Sequence, residues 1–220
     1  MGLLINITGK KVKEIALFLD SSVDNIIAGK MLAFPTNFVY NIGGDPTNSS
    51  LVKRILNIKP KDSSETFLIF VSDFEEATKI VEFNENAIKL AKKYWPGELI
   101  LVLERKEQNI IPLDFTTSQN RIRIIVPKNE IILTILEKLK LRGRFGGIIG
   151  TSANFPEDPP AISGSMVTKY FLGAIDIILD SGKIVSQIPA TVLDCSEEDI
   201  KILRIGKITE DEINNTLKGE

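Results

Sequence analysis

Gly146-Gly-Ile-Ile-Gly-Thr-Ser-Ala-Asn154 decides the reading of this chain. Gly146–Ile149 predicts a buried strand, which breaks into the small polar run Thr151-Ser-Ala-Asn154. In an open α/β sheet, ligands collect at such strand ends, because backbone amides are free there and the core does not crowd them. Taken alone, the run also reads as residues that merely end a strand and cap a turn. Just upstream, residues 130–141 carry a helical period that leads into the basic cluster Lys138, Lys140, Arg142 and Arg144. Just downstream, residues 155–165 contain Pro156, Pro159 and Pro160 and predict a loop.

Working outward, elements of two periods alternate. Residues 10–29 place Val12, Ile15, Leu19, Val23, Ile26 and Ile27 at helical spacing, with Gly29 as C-cap. Residues 31–34 predict a strand that stops at Pro35. Residues 49–58 predict a helix capped by Asn48 or Ser49, and 66–71 a fully apolar strand. Ser72-Asp-Phe-Glu75 reads as a capping box opening a helix through Phe83. A helix over 84–94 is halted by Trp95-Pro96-Gly97. Strands are expected at 98–104, 121–126, 175–179, 190–194 and 200–205, and helices at 166–172 and 210–217. A polar loop holding Asp114 to Asn120 joins the first two of these strands. No repeat or linker divides the chain, so residues 1–220 predict one α/β domain.

Composition removes whole classes of chemistry. The 220 residues are 43% hydrophobic and 25% charged, as in an ordinary globular protein. Twenty-seven basic and 29 acidic residues leave a net charge of −2, so the total demands neither nucleic acid nor an anionic membrane. There is no histidine, which excludes His-dependent triads, His-ligated metals and imidazole acid–base catalysis. The single Cys195 excludes an intrachain disulfide, and its place after an apolar strand predicts a structural thiol. No apolar run approaches the roughly 18 residues of a membrane span, and no signal peptide is read; a cytoplasmic protein is expected. The glycines match neither Walker A nor G-x-G-x-x-G spacing, and no metal site is predicted. Lys, Arg, Ser, Thr, Asn and backbone amides must therefore carry any chemistry.

Six segments, in order, carry a resemblance. They are Phe34-Pro-Thr-Asn-Phe-Val-Tyr-Asn-Ile-Gly43, Ile58-Lys-Pro-Lys61, Trp95-Pro-Gly-Glu-Leu-Ile100, Thr151-Ser-Ala-Asn154, Pro189-Ala-Thr-Val-Leu-Asp194 and Leu203-Arg-Ile-Gly206. The set resembles the YrdC/YciO family over residues 10 to 217. The resemblance implies a single YrdC-like domain: a twisted mixed parallel/antiparallel sheet with flanking helices and a concave, positively charged cleft. It implies a threonylcarbamoyl-AMP synthase, a nucleotidyltransferase joining L-threonine, bicarbonate and ATP with Mg²⁺, for threonylcarbamoyladenosine in tRNA. By this resemblance Lys59 neutralises ATP phosphates, with Lys61 beside it. Ser152 and Asn154 line the nucleotide and carbamate region, and Arg204 holds ATP. Thr36, Tyr40 and Thr191 contact threonine. Such chemistry is positioning, charge neutralisation and exclusion of water, none of which needs imidazole.

The amino-acid side departs from the family pattern. Lys61 stands for an arginine, Ile125 for an arginine, Phe70 for a histidine and Ala190 for a serine, while Arg123 lies on the same strand face as Ile125. Asn37, Phe38 and Asn41 replace residues that are typically acidic, Thr and Gly, and Phe155-Pro-Glu-Asp158 replaces Ser-Gly. A pocket so altered is more apolar, which opens one further reading, and the basic cluster opens a second. One is a diverged paralogue whose phosphate-binding cleft serves another acceptor. The other is a double-stranded RNA-binding protein using the 138–144 cluster.

Overall fold

The computed structural model describes residues 2–58, 67–111, 120–155, 158–171, 173–186 and 188–219. Among these described residues, ten strands make one open sheet: β1 (Leu3–Asn6), β2 (Leu32–Pro35), β3 (Tyr40–Gly44), β4 (Leu68–Val71), β5 (Leu99–Glu104), β6 (Arg121–Ile125), β7 (Gly147–Ser152), β8 (Ile177–Asp180), β9 (Thr191–Asp194) and β10 (Lys201–Arg204). Seven α-helices among the described residues flank it: α1 (Ala16–Ile27), α2 (Ser49–Ile58), α3 (Phe74–Thr78), α4 (Glu85–Tyr94), α5 (Glu130–Leu141), α6 (Gly164–Phe171) and α7 (Glu210–Lys218). The strand order is β1-β8-β2-β3-β7-β4-β6-β5-β9-β10. Parallel pairs (β1·β8, β2·β8, β4·β6, β5·β9) alternate with antiparallel ones, so the sheet is mixed, as the sequence predicts.

The apolar strand runs have a simple cause: both faces of the sheet are covered. Along β5, Leu99, Leu101 and Leu103 enter one core cluster while Ile100 and Val102 enter the other. The first cluster lies under α2, α3, α4, α6 and α7, through side chains such as Leu51, Ala77, Leu90, Val167 and Ile213. Among the described residues the second lies under α1 and α5, through Leu19, Val23 and Ile26 and through Ile132, Ile135 and Leu136. Each fully buried aliphatic side chain contributes about 1.5–3 kcal/mol before entropy is counted. Two helices cover less of a ten-stranded face than five do, and the uncovered part holds the candidate site.

Local chemistry explains the boundaries. Asn48 caps α2, its Oδ1 accepting from the Ser50 and Leu51 N–H groups at 3.0 and 3.1 Å. Asn84 and Asn129 cap α4 and α5 in the same way. Gly29, with φ +74°, follows α1 in the left-handed conformation predicted for it.

Four expectations change. The helix of 10–29 begins as a 3₁₀ turn at Val12–Ile15 and becomes α-helical only at Ala16. Strands β1 and β3 were not predicted. Asp73 rather than Ser72 caps α3, which stops at Thr78 because Val81 is drawn into a bridge with Arg105. Strand β7 does not break at Thr151 but runs through Ser152, because β3 supplies a partner, pairing Ile42 with Thr151 and Asn41 with Ser152. Among the described residues, no helix is long and apolar enough to cross a membrane.

Candidate functional site

A groove of about 160 Å³ opens on the α1/α5 face. Its floor follows from register. On that face Gly43, Gly150, Leu68 and Arg123 stand side by side across β3, β7, β4 and β6, with Asn41 beside Ser152 one step along. Phe70 of β4, Ile100 of β5, Arg204 of β10 and the Phe38-Val39 loop complete the walls.

Gly150 makes the groove's shape. A Cβ there would lie 2.8 Å from Phe70 Cε2 and 3.0 Å from Phe34 Cζ, closer than packed atoms tolerate. Without it the two rings cross edge to face, centroids 5.5 Å apart, and Phe70 forms an apolar wall. Ile125, where the family pattern has an arginine, is buried in the α1/α5 core. Arg123, two residues back, lines the groove instead.

The electrostatics separate three arginines. Arg121 is neutralised, its guanidinium reaching Asp194 and Glu197 at 2.8 Å each. Arg123 has no ion pair among the described residues, and its Nε is buried without a partner. Burial pulls its pKa below the usual arginine value, with the Asp194 charge opposing that pull. Arg204 donates from Nε and Nη2 to the Ala190 carbonyl at 3.1 and 3.0 Å. Burial and then the charge on Arg123 lower its pKa too. Two neighbouring guanidinium groups, neither ion-paired among the described residues, favour an anion here.

The predicted residues divide between this groove and its supports. Ser152 and Arg204 line it. Asn154 stands just beyond β7, donating from Nδ2 to the Phe155 and Asp158 carbonyls at 3.0 Å each. Thr36 donates its hydroxyl to the Val39 carbonyl at 2.7 Å and closes the turn that carries Phe38 over the groove. Tyr40 faces the five-helix side. Its hydroxyl donates to the Gly182 carbonyl at 2.8 Å and receives the Ser181 N–H at 3.0 Å. Burial, with the Asp180 carboxylate adding to it, pushes the phenol up to about 12. Thr191 also faces that side, fully buried. Lys59 and Lys61 lie outside the described residues. Asn41, named from sequence only as a departure from the family pattern and given no role, lines the groove; the alternation along β3 is the signal that places it there.

Two other expectations also meet the geometry. Cys195 is buried, and burial followed by the neighbouring Asp194 charge raises its thiol to about 12, as a structural thiol requires. The basic cluster is largely ion-paired. Lys138 reaches Asp20 at 2.8 Å, Lys140 reaches Asp73 and Glu75 at 2.9 Å each, and Arg142 pairs with Asp24 and Asp20. These pairs tie α5 to α1 and α3, which leaves little unbalanced charge there for a phosphate backbone.

An open mixed sheet with a groove on its less covered face, lined by two arginines, defines the class: an α/β protein whose cleft carries positive charge. The chain belongs to the Sua5/YciO/YrdC family, whose model, described as "Telomere recombination", matches residues 24–206. It is 33% identical over 190 residues to the threonylcarbamoyl-AMP synthase of Pyrococcus abyssi, covering 86% of this chain and 54% of that protein. The chain thus spans about half the length of that relative. It also resembles the crystal structure of P. abyssi Sua5 complexed with L-threonine: TM-score 0.84, 30% identity, 97% of this chain and 60% of the other. Escherichia coli YciO, at 20% identity, shares the fold with a TM-score of 0.77 over 94% of this chain and 96% of the other.

Proposed function

We propose that the chain makes an aminoacyl-carbamoyl adenylate: L-threonine, bicarbonate and ATP, as its Mg²⁺ complex, give threonylcarbamoyl-AMP and pyrophosphate. The acceptor amine adds to the bicarbonate carbon with loss of water, and a carbamate oxygen then displaces pyrophosphate from the α-phosphorus. The product would serve threonylcarbamoyladenosine formation in tRNA, and the reaction belongs in the cytoplasm.

The observation that carries this reading is the half-buried Arg123 beside Arg204 in an apolar-walled groove. Every reactant here is an anion or carries a carboxylate, and fixed guanidinium groups in a partly dry site stabilise such charge without reorganising. The Phe70, Leu68 and Ile100 walls keep water from a labile carbamate. The names of the relatives support the same chemistry. In it, Lys59 and Lys61 take the ATP phosphates, Ser152 and Asn154 serve the carbamate, Arg204 holds the nucleotide and Thr36 shapes the turn over the acceptor side, while Tyr40 and Thr191 brace the backbone from the opposite face.

The test is pyrophosphate release from ATP. It should require both L-threonine and bicarbonate, and a preparation that binds ATP but releases nothing with both present would sink the proposal. One observation favours a second acceptor: Phe38, Leu68, Phe70 and Ile100 surround the groove's polar groups. Turnover with L-valine but not L-threonine would establish that alternative.

A further inference from the structure

The loop joining β2 to β3 roofs the groove. Its base is closed by the Thr36 N–H, which donates to the Val39 carbonyl at 3.0 Å, so Asn37 and Phe38 form its tip. Phe38 is half-buried, packs on the α1/α5 core and lines the groove. Asn37 uses its carboxamide elsewhere. Its Nδ2 donates to Glu98 Oε1 and, at 3.3 Å, to the Lys128 carbonyl. Its Oδ1 accepts from Asn129 Nδ2 at 3.2 Å, and the same Asn129 caps α5 by accepting from the Ile132 N–H at 3.2 Å. One side chain thus ties the tip to the residue before β5, to the chain leaving β6 and to the start of α5. Glu98 shares strand parity with Ile100, a wall of the groove, so this tie lies on the groove's own face. Ordering a loop tip costs conformational entropy that a half-buried ring alone does not offset. The amide–carboxylate bond between Asn37 and Glu98 is charge-assisted and is the strongest of the three ties.

We infer that Glu98 is a positioning residue for the groove: acting through Asn37, it fastens Phe38 as the roof over Ser152 and Arg123, and releasing that clasp uncovers the groove. This goes beyond the proposed reaction, because it concerns the groove's cover and holds for whichever ligand lies beneath. The polarity of the clasp is fixed, with the donor at 37 and the acceptor at 98. A carboxylate at 37, where the family pattern is acidic, would face Glu98 and be repelled by it. Exchanging donor and acceptor together restores a bond, which makes the clasp testable as a pair rather than as two separate residues.

Thiol labelling reads the cover directly. Ser152→Cys places a thiol in the groove, and its alkylation by iodoacetamide reports access there. The buried Cys195 reports opening of the fold as a whole. In the Ser152→Cys parent, Asn37→Asp should speed labelling of the groove thiol by roughly 10–100-fold, with Cys195 still unreactive. Adding Glu98→Gln to Asn37→Asp should return the rate to within about threefold of the parent, because the new amide donates to the new carboxylate. Glu98→Gln alone keeps an acceptor for Asn37 and should also stay within about threefold, whereas Glu98→Ala should label as fast as Asn37→Asp. Every variant retains Asn129, so the α5 cap is kept. A parental labelling rate in Asn37→Asp would overturn the inference. So would a double variant that labels no slower than Asn37→Asp alone, since the two residues would then act separately. Cys195 labelling that quickens in step with the groove thiol would assign the effect to lost stability and overturn it too. None of these readouts uses turnover, so the outcome is independent of the proposed reaction.

Discussion

The Thr191 hydroxyl donates to the Ile208 carbonyl at 2.7 Å and receives the Ile208 N–H at 3.0 Å, so one side chain clasps the chain's return after β10 from both sides. The Gly206 N–H adds a third bond at 3.0 Å. Thr191→Val keeps the shape and leaves three partners without it, the two of Ile208 in a buried place. The expected cost is about 1–3 kcal/mol, read as a lower urea midpoint at an unchanged m-value. Thr191→Ser should recover most of it.

Gly150→Ala sets a methyl group against the Phe70 and Phe34 rings at 2.8 and 3.0 Å. Phe34 is fully buried in the α1/α5 core and cannot retreat, while Phe70 has only the groove to move into. Overpacking should cost about 1–3 kcal/mol in denaturant unfolding. Anion affinity should fall with it, as Phe70 is pushed into the groove. Unchanged affinity in a folded variant would contradict the groove's position.

Asp176 joins three segments: its Oδ2 accepts from the Met31 N–H at 2.8 Å and from Arg54 Nη1 at 2.6 Å. Burial acts to raise this carboxyl, but the Arg54 and Met31 bonds outweigh it and hold it below the usual aspartate value. A folded-state pKa below the unfolded one means the carboxylate's contribution is present above about pH 4. It is lost as pH falls through the depressed value. Wild-type stability should therefore drop on that acid limb, and Asp176→Asn should be less stable at neutral pH with a shallower drop. An identical pH slope in the variant would refute the assignment.

Cys195, with its thiol raised to about 12, should resist a thiol-reactive disulfide reagent at pH 8 in the native protein. It should react at once after unfolding in guanidinium chloride. Fast native labelling would mean that the region between β9 and β10 opens readily.

Much of the fold can be read from sequence where two signals coincide. Helices α2 and α5 fall on the predicted 49–58 and 130–141 because an Asn cap precedes an apolar stripe in each. Strand β3 escaped notice because Tyr40-Asn-Ile-Gly-Gly44 has neither a β-branched run nor clean alternation, and its neighbours β2 and β7 impose its conformation. That one omission limited the reading of the site. Strand parity puts Tyr40 and Asn41 on opposite faces, and without the strand there is no parity to apply. Thr191 met the same difficulty, since an ordered motif names a residue without saying which side of the sheet it faces. Ser152 and Arg204 needed no such knowledge to be singled out.

The groove's two arginines hang from unequal supports. Strand β6, carrying Arg123, is bonded along both flanks, to β4 and β5, inside the core. Strand β10, carrying Arg204, is the outermost strand, joined only to β9 and with its pairing register broken between Ile202 and Arg204. The groove is thus a vice with one fixed jaw and one jaw hung on a single row of hydrogen bonds. Any widening of the groove should therefore begin at the outer jaw, with Arg123 held where it is.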